Sequence, residues 1–548
     1  MMTERLRASF WTFLLVLTLV GGGWSAADEL TVIATNDLHG HLTPRIPSRA
    51  SQPPIGGVGW MGGYFDAVRQ ENPGRVLLLD AGDLFSGTII ADYREGKAVI
   101  DCMNALGYGA SAVGNHEFDF GPIGPKNTLG PGVDPRGTFK ARLAQSRFPF
   151  LAANIRSRKT GTWVEWPNCK RYHLFDMKGI KVGVIGLATP ETPKVTFPPY
   201  VDGIEFTSML EAARELIPVV RKEGAQVVIL LAHAGAIRNG SARWGFSGEV
   251  VDLAAALPPG SVDLIVSGHT HRLYRFEVNG IQIVQGSCCG AGFQRLDIYV
   301  DSKTKRTDAS KNRYHPFQPF LGSRSPEEAV FYRGKRIQRS EALLKILDPY
   351  RKEAEKVSSR VLGNAKRDLR TNRGAESELA NYVADSVYRS FDGVSAVFLN
   401  SGGLRARIQK GPITVGSVYR AIPFNNKVVL LTLTGVQVRA LLEQGVQGRR
   451  GILLVSGIRY TYKPKSPIGE RVGEILYADG KPVLPTDQVR CATLDFLYRG
   501  GDGYTLLAEG TQVEPTEHLL RDIVTQSILK ETEPIVGKID GRMRKVVD

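Results

Sequence analysis

Four apolar runs in the first half of the chain, at 30–35, 76–80, 227–231 and 264–267, are rich in Val, Ile and Leu and almost free of exposed-type residues. Continuous runs of this length predict strands buried on both faces, as in a sheet covered by helices. Each run ends on chemistry. The first delivers Asp37 and His39, the second Gly82-Asp83, the third His233, and the fourth His269 and His271. A fifth segment, Gly114-Asn115-His116-Glu117-Phe118-Asp119, has the same character. The carboxyl ends of strands are where open α/β sheets build their sites. Residues 121–137 are rich in Gly and Pro and predict a surface loop after the Asn-His segment.

The second half reads differently. Residues 302–325 are polar and irregular, and 326–362 looks helical, with Pro349 and a charged stretch inside it. An amphipathic helix is predicted over 376–388 and a strand over 394–399, ending in Asn400-Ser401-Gly402-Gly403-Leu404-Arg405. A chain of 548 residues is too long for one core. The expected organisation is a catalytic domain over 28–325, a helix-bearing linker over 326–362 and a second domain over 363–548. No internal repeat is visible.

Composition narrows the class. Residues 1–27 read as a cleaved secretory signal: Arg5 and Arg7 precede an apolar core at 10–20, followed by Ser25-Ala26-Ala27. That core is shorter than the roughly 20 residues a membrane span needs, and no later segment is apolar enough to span. The chain ends polar, without the apolar tail that a lipid anchor replaces. The formal net charge of +15 is dispersed rather than gathered in one run. It favours anionic substrates, and no nucleic-acid motif accompanies it. Five cysteines without any CxxC argue against a thiolate zinc site. Export permits disulfides, but the odd count leaves one thiol free, and the neighbours Cys288 and Cys289 are an unusual pair to join.

Five of the nine histidines sit in the ligand segments. Asp37 and His39 alternate around Leu38 and can face one side of a turn. Asp83 offers two oxygens and can bridge two ions, Asn115 supplies a neutral oxygen, and His269 and His271 share a face. Together they suit two divalent cations roughly 3.5–4 Å apart, which activate a water and neutralise a phosphoryl group. His116 follows Asn115 directly and points elsewhere. Asp119, three residues on, can orient its imidazole and favour the charged form for transition-state or leaving-group work. His41 reads as loop packing.

These segments resemble the metallophosphoesterase (calcineurin-like) superfamily, and their flanks resemble its 5′-nucleotidase family, over nearly all of the chain beyond residue 27. The most specific pieces are 35–41 and 114–119. The resemblance implies an N-terminal four-layer αββα sandwich and a smaller α+β C-terminal substrate domain. It implies that Asp37, His39, Asp83 and His271 hold one metal, and Asp83, Asn115, His233 and His269 the other. His116 with Asp119 is then the catalytic dyad. Asn400 and Arg405 fall in the family's Asn-x-Gly-Gly-x-Arg pattern, which contacts substrate. Phe424 and Phe496 resemble the two rings that sandwich the base, and Asp502 the carboxylate near the ribose. Stacking on both faces suits any base, and a guanidinium grips phosphate in a forked manner. The segment 370–379 departs from the family, and Arg373 is the candidate for its usual arginine.

The reading is an exported phosphohydrolase with two divalent ions (Zn, Mn, Co or Fe) acting on nucleoside 5′-monophosphates through a metal-activated water. The alternatives with the same residues are cyclic-nucleotide or UDP-sugar hydrolysis. The non-enzyme alternative is a nucleotide-binding surface protein. The sequence sets no oligomeric state.

Overall fold

The computed structural model describes residues 29–47, 51–124, 129–325, 327–447 and 451–546. The expected export signal at 1–27 lies outside the described residues.

All four predicted strands form, as Glu29–Thr35, Val76–Asp80, Val227–His233 and Leu264–Ser267. They divide between two sheets. In the eight-stranded sheet Glu29–Thr35 runs parallel to Val76–Asp80, which runs parallel to Ala110–Ala112. In the six-stranded sheet Val227–His233 lies parallel to both Lys181–Ala188 and Leu264–Ser267. Alternation along each strand explains the stacking. Leu30, Val32 and Ala34 point into a shared core with Val227, Ile229, Leu231 and Leu264 of the other sheet. Ile33 points the opposite way, into a core with Tyr64, Phe65 and Ile100 from the helices Val58–Glu71 and Lys97–Leu106. Val228 and Leu230 point out toward the helices Met209–Lys222 and Glu249–Ala256. The result is helix, sheet, sheet, helix: the four-layer sandwich.

The helix expected within 326–362 is Glu341–Ser358, and Pro349 lies inside it. Before it, Val330–Tyr332 pairs with Lys335–Ile337 as a short hairpin where a helix was expected. The two linking residues, Arg333 (φ 50°) and Gly334 (φ 79°), are both left-handed, the tight turn that a right-twisted hairpin selects. The helix does not cross open space. Its Leu343, Leu347 and Ala354 bury in the first domain's core beside Trp60 and Met61, and Glu353 accepts from Arg94 Nε and Nη2 at 3.0 and 3.1 Å. At Val415 the second domain ties back to the end of this linking segment, where the Val415 N–H donates to the Arg360 carbonyl at 3.0 Å.

The C-terminal half has its own core, running from Leu362 to Met543. A five-stranded sheet with Ala396–Asn400 and Gln488–Leu494 at its centre carries the helices Glu378–Ser390, Gly435–Gly445 and Leu520–Lys530. Among the described residues no helix is long and apolar enough to cross a membrane.

Candidate functional site

The parallel strands of both sheets end at the same edge of the sandwich, and the ligand segments leave from those ends. Five of the proposed ligands turn in left-handed backbone: Asp37 (φ 50°), His39 (φ 47°), Asp83 (φ 59°), His269 (φ 73°) and His271 (φ 56°). Two glycines make the turns possible. At Gly82 (φ 91°) a Cβ would lie 2.9 Å from the Gly114 nitrogen, and at Gly114 it would lie 2.3 Å from an Asp83 oxygen.

The side chains converge in two groups that share Asp83. Asp37, His39, Asp83 and His271 form the first, and Asp83, His233 and His269 the second, with the donor atoms of each within 4.8 Å of one another. Asn115 joins the second group, its Oδ1 lying 3.2 Å from His233 Nε2 and 3.0 Å from His269 Nδ1. In the first group the His39 and His271 Nε2 atoms approach to 2.9 Å, and His271 Nε2 lies 3.4 Å from Asp37 Oδ1. All seven predicted ligands are thus brought together.

Their partners test whether cations fit. His39 Nδ1–H donates to the Ser86 carbonyl at 2.9 Å, and His233 Nδ1–H to the Ala81 carbonyl at 2.8 Å. A carbonyl only accepts, so each Nδ1 holds a proton and each Nε2 faces inward, the orientation a metal ligand needs. Burial opposes charge on His233, but Asp83 outweighs it and carries the ring up to about 10, so a cation bound there takes the place of the Nε2 proton. Burial, reinforced by the neighbouring His271, keeps His39 well below the usual histidine range. Burial and then His233 push His269 down to about 4. Burial opposes ionisation of Asp83, yet His233 and the other histidines around it carry its carboxyl well below the usual range. Inward lone pairs around two buried carboxylates are a donor set for divalent ions.

The cradle is braced from behind. Glu117, 1% exposed, accepts the N–H groups of Asp83 (3.1 Å), Leu84 (2.7 Å) and Gly114 (2.6 Å). One side chain therefore joins the Asp83 loop to the Asn115 loop. Burial and the adjacent Asp83 push its carboxyl up to about 8.

His116 points out of the cradle. Its Nδ1 bonds Asp119 Oδ2 at 2.7 Å, and its backbone N–H donates to Asp83 Oδ1 at 2.9 Å. Burial works against the charged ring, but the Asp119 and Asp83 carboxylates outweigh it and carry His116 up to about 9. His41 Nδ1 turns back to the His39 and Leu38 carbonyls at 3.0 and 3.2 Å, as loop packing requires.

Across from the cradle stands a wall from the second domain. The Phe424 ring stacks on His116, centroids 5.7 Å apart and planes 16° apart. The Arg405 guanidinium also lies over the Phe424 ring, 5.9 Å from its centroid. Asn400 Nδ2–H donates to Asp502 Oδ2 at 2.7 Å, while the buried Asn400 Oδ1 has no hydrogen-bond partner. Phe496 lies against Gly501, where a Cβ would sit 2.5 Å from the ring. Its ring is partly buried on the C-terminal core. Arg373, Asn400, Arg405, Phe424, Phe496 and Asp502 all line one cavity of about 1770 Å³ with Asp83, Asn115, His116 and His271.

The calcineurin-like phosphoesterase family model matches residues 30–273, and the 5′-nucleotidase C-terminal domain model matches 355–509. The trifunctional nucleotide phosphoesterase protein YfkN of Bacillus subtilis is 29% identical over 560 residues, covering 94% of this chain. The chain spans only 35% of that protein's length. Protein UshA of Yersinia enterocolitica is 28% identical over 519 residues and 88% of each chain is covered. Among solved structures, a 5′-nucleotidase precursor from Thermus thermophilus superposes with a TM-score of 0.78 at 27% identity, covering 95% of this chain and all of that one. The chain belongs to the 5′-nucleotidase family of metallophosphoesterases.

Several residues of this 5′-nucleotidase-type cleft escaped the sequence reading. Glu117 lies inside the 114–119 segment, where nothing local assigns it a role. A carboxylate buried one residue past the His is the only signal it offers. Asp92, Tyr419 and Arg521 meet at the back of the cleft, where burial pushes Asp92 up to about 7 against the pull of Gly87, Arg521 and Tyr419. Arg499 of the second domain sits over Phe197 of the first, 5.5 Å from its centroid. Nothing local in the sequence marks these contacts.

Proposed function

We propose that the protein is an exported nucleotidase that removes phosphate from nucleoside 5′-monophosphates with two divalent ions bound. The observation that carries this is the stacking of Phe424, from the second domain, on His116, beside the metal cradle. It puts an aromatic surface and a guanidinium within reach of the same phosphoryl position. Asp37, His39, Asp83 and His271 would hold one ion, and Asp83, Asn115, His233 and His269 the other. Ions held there supply Lewis-acid activation of water and charge neutralisation on phosphate.

The remaining work falls to the chain. Arg405, with Arg373, grips the phosphate through charge-assisted bonds. Phe424 and Phe496 take the base between them, and Asp502 with the unpartnered Asn400 Oδ1 receives ribose hydroxyls. His116, kept cationic by Asp119, stabilises charge on the phosphoryl oxygens and gives its proton to the departing 5′ oxygen. We assign the catalytic domain to 28–325, the linker to 326–362 and the nucleotide domain to 363–548.

A phosphate-release screen of the purified protein tests this reading. Nucleoside monophosphates, 2′,3′-cyclic nucleotides, UDP-glucose and bis(4-nitrophenyl) phosphate are compared with Mn, Zn, Co and Fe. A nucleoside 5′-monophosphate should turn over fastest. Preference for a cyclic nucleotide or for UDP-glucose would replace the proposal with a diesterase or pyrophosphate hydrolase. The relative named as trifunctional is a reason to include all arms.

A further inference from the structure

Cys288 and Cys289 occupy a loop that joins the two halves of the metal cradle from behind. The Cys289 N–H donates to the Asp37 carbonyl at 2.6 Å. Asn36 Nδ2–H donates to the Ser287 carbonyl at 2.6 Å, and the Gly286 N–H returns to Asn36 Oδ1 at 2.7 Å. On the other side the Ser287 N–H donates to the Arg272 carbonyl, next to His271, at 3.0 Å. Ser287 (φ 67°) and Cys289 (φ 61°) both adopt left-handed backbone in this loop. The turn brings the two free sulfurs to 2.7 Å from each other. Both residues are half-buried, whereas Cys102, Cys169 and Cys491 are buried.

We propose that Cys288 and Cys289 are a modification site: a vicinal dithiol that closes reversibly to a disulfide with a low-molecular-weight disulfide as oxidant, and loosens the Asp37–His39 side of the cradle when closed. One cysteine sulfur attacks the oxidant RS–SR and expels RS⁻. The second attacks the cysteine sulfur of that mixed disulfide and expels the other RS⁻. The pair loses two electrons and two protons, and the oxidant leaves as two RSH. Neighbouring Cα atoms lie only about 3.8 Å apart, less than the roughly 4.4–6.8 Å of ordinary disulfides. Closure therefore has to turn the backbone at 288–289, and that backbone includes the N–H held by Asp37. Disulfides of this strained kind are the readily reduced, regulatory ones. The effect on the cradle rests on the metal reading above; the thiol chemistry does not.

The metal-loaded full-length protein is incubated with oxidised glutathione. Intact mass and peptide mapping should show loss of two hydrogens at 288–289 without a glutathione adduct. Hydrolysis of 4-nitrophenyl phosphate should fall about tenfold, the scale seen when groups behind metal ligands are disturbed, and return with dithiothreitol. Cys288→Ser should keep its untreated activity, gain one glutathione adduct and show no two-hydrogen loss. Phenylarsine oxide, which needs two thiols within reach, should add once to the wild type and block the oxidation. The arsenical arm uses only wild-type protein, so it holds even if the variant misfolds. Independent adducts on both cysteines, no arsenical addition, or closure without change in activity or metal content would each overturn the proposal. If no phosphoester is hydrolysed at all, the mass readout still decides the thiol chemistry and the nucleotidase reading falls separately.

Discussion

The two walls of the cleft are built on opposite plans. On the sandwich side nearly every functional atom has a second partner behind it. His39 and His233 lean on backbone carbonyls, and Glu117 clamps two ligand loops at once. The C-terminal wall has fewer restraints. Asn400 keeps an acceptor without a partner, Arg405 is exposed, and Phe424 rests on a ring of the other domain. Holding buried charge demands fixed geometry, because small displacements in a low-dielectric site are costly. Gripping the flat, interchangeable parts of a ligand demands only surface and room to close.

The largest effect should come from emptying the braced wall. Exhaustive chelation should abolish turnover, and Mn or Zn should restore it. Asp83→Asn should leave the protein folded but short of metal by elemental analysis, since it is common to both donor groups. Full activity in verified metal-free protein would break the comparison outright.

His116→Ala comes next. It should lower kcat by about 10²–10⁴-fold with metal content unchanged, because its ring leaves the cradle toward Asp119. If His116→Ala sheds an ion while Asp83→Asn retains both, the assigned roles are reversed.

The looser wall should respond in KM rather than in metal content. Each stacked base contact contributes about 1–3 kcal/mol, so Phe424→Ala with Phe496→Ala should raise KM for AMP by at least about tenfold. Hydrolysis of 4-nitrophenyl phosphate should barely change. A parallel loss on both substrates together with lower thermal stability would mean the rings only pack the domain.

The smallest effect on turnover is expected at Asp92, at the back of the cleft, whose signature is in stability. Its folded carboxyl titrates at about 7, against about 3.9 in an unfolded chain. Below the lower value both states are protonated and the group costs nothing. As pH rises between the two, the folded state is progressively penalised, and the penalty is complete above the folded value. The Tm advantage of Asp92→Asn over wild type should therefore widen from about pH 5 to about pH 8. A narrowing gap would mean that Arg521 stabilises the carboxylate more than burial penalises it.

How much was legible follows the same division. Asp37, His39, Asp83, His233, His269 and His271 could be read because each stands two to four residues beyond an apolar run, and a buried strand announces itself locally. The hairpin at Val330–Tyr332 and Lys335–Ile337 was hidden within a stretch that reads as helix. There the left-handed turn at Arg333-Gly334 and packing on Val58–Glu71 overrode local propensity. Glu117 was visible as a letter but not as a brace, because its three donors come from two loops 30 residues apart in the chain.

By itself the sequence determined which residues would stand at strand ends, and so which donor atoms could meet, because strand burial and turn chemistry are properties of a few adjacent residues. Only the tertiary structure decided that Phe424 lies on His116, that Asp92 faces Tyr419 and Arg521, and that the Cys288–Cys289 loop backs the metal cradle. Those contacts join segments from separate cores or distant loops. They exist through the way packed surfaces meet, which no local pattern encodes.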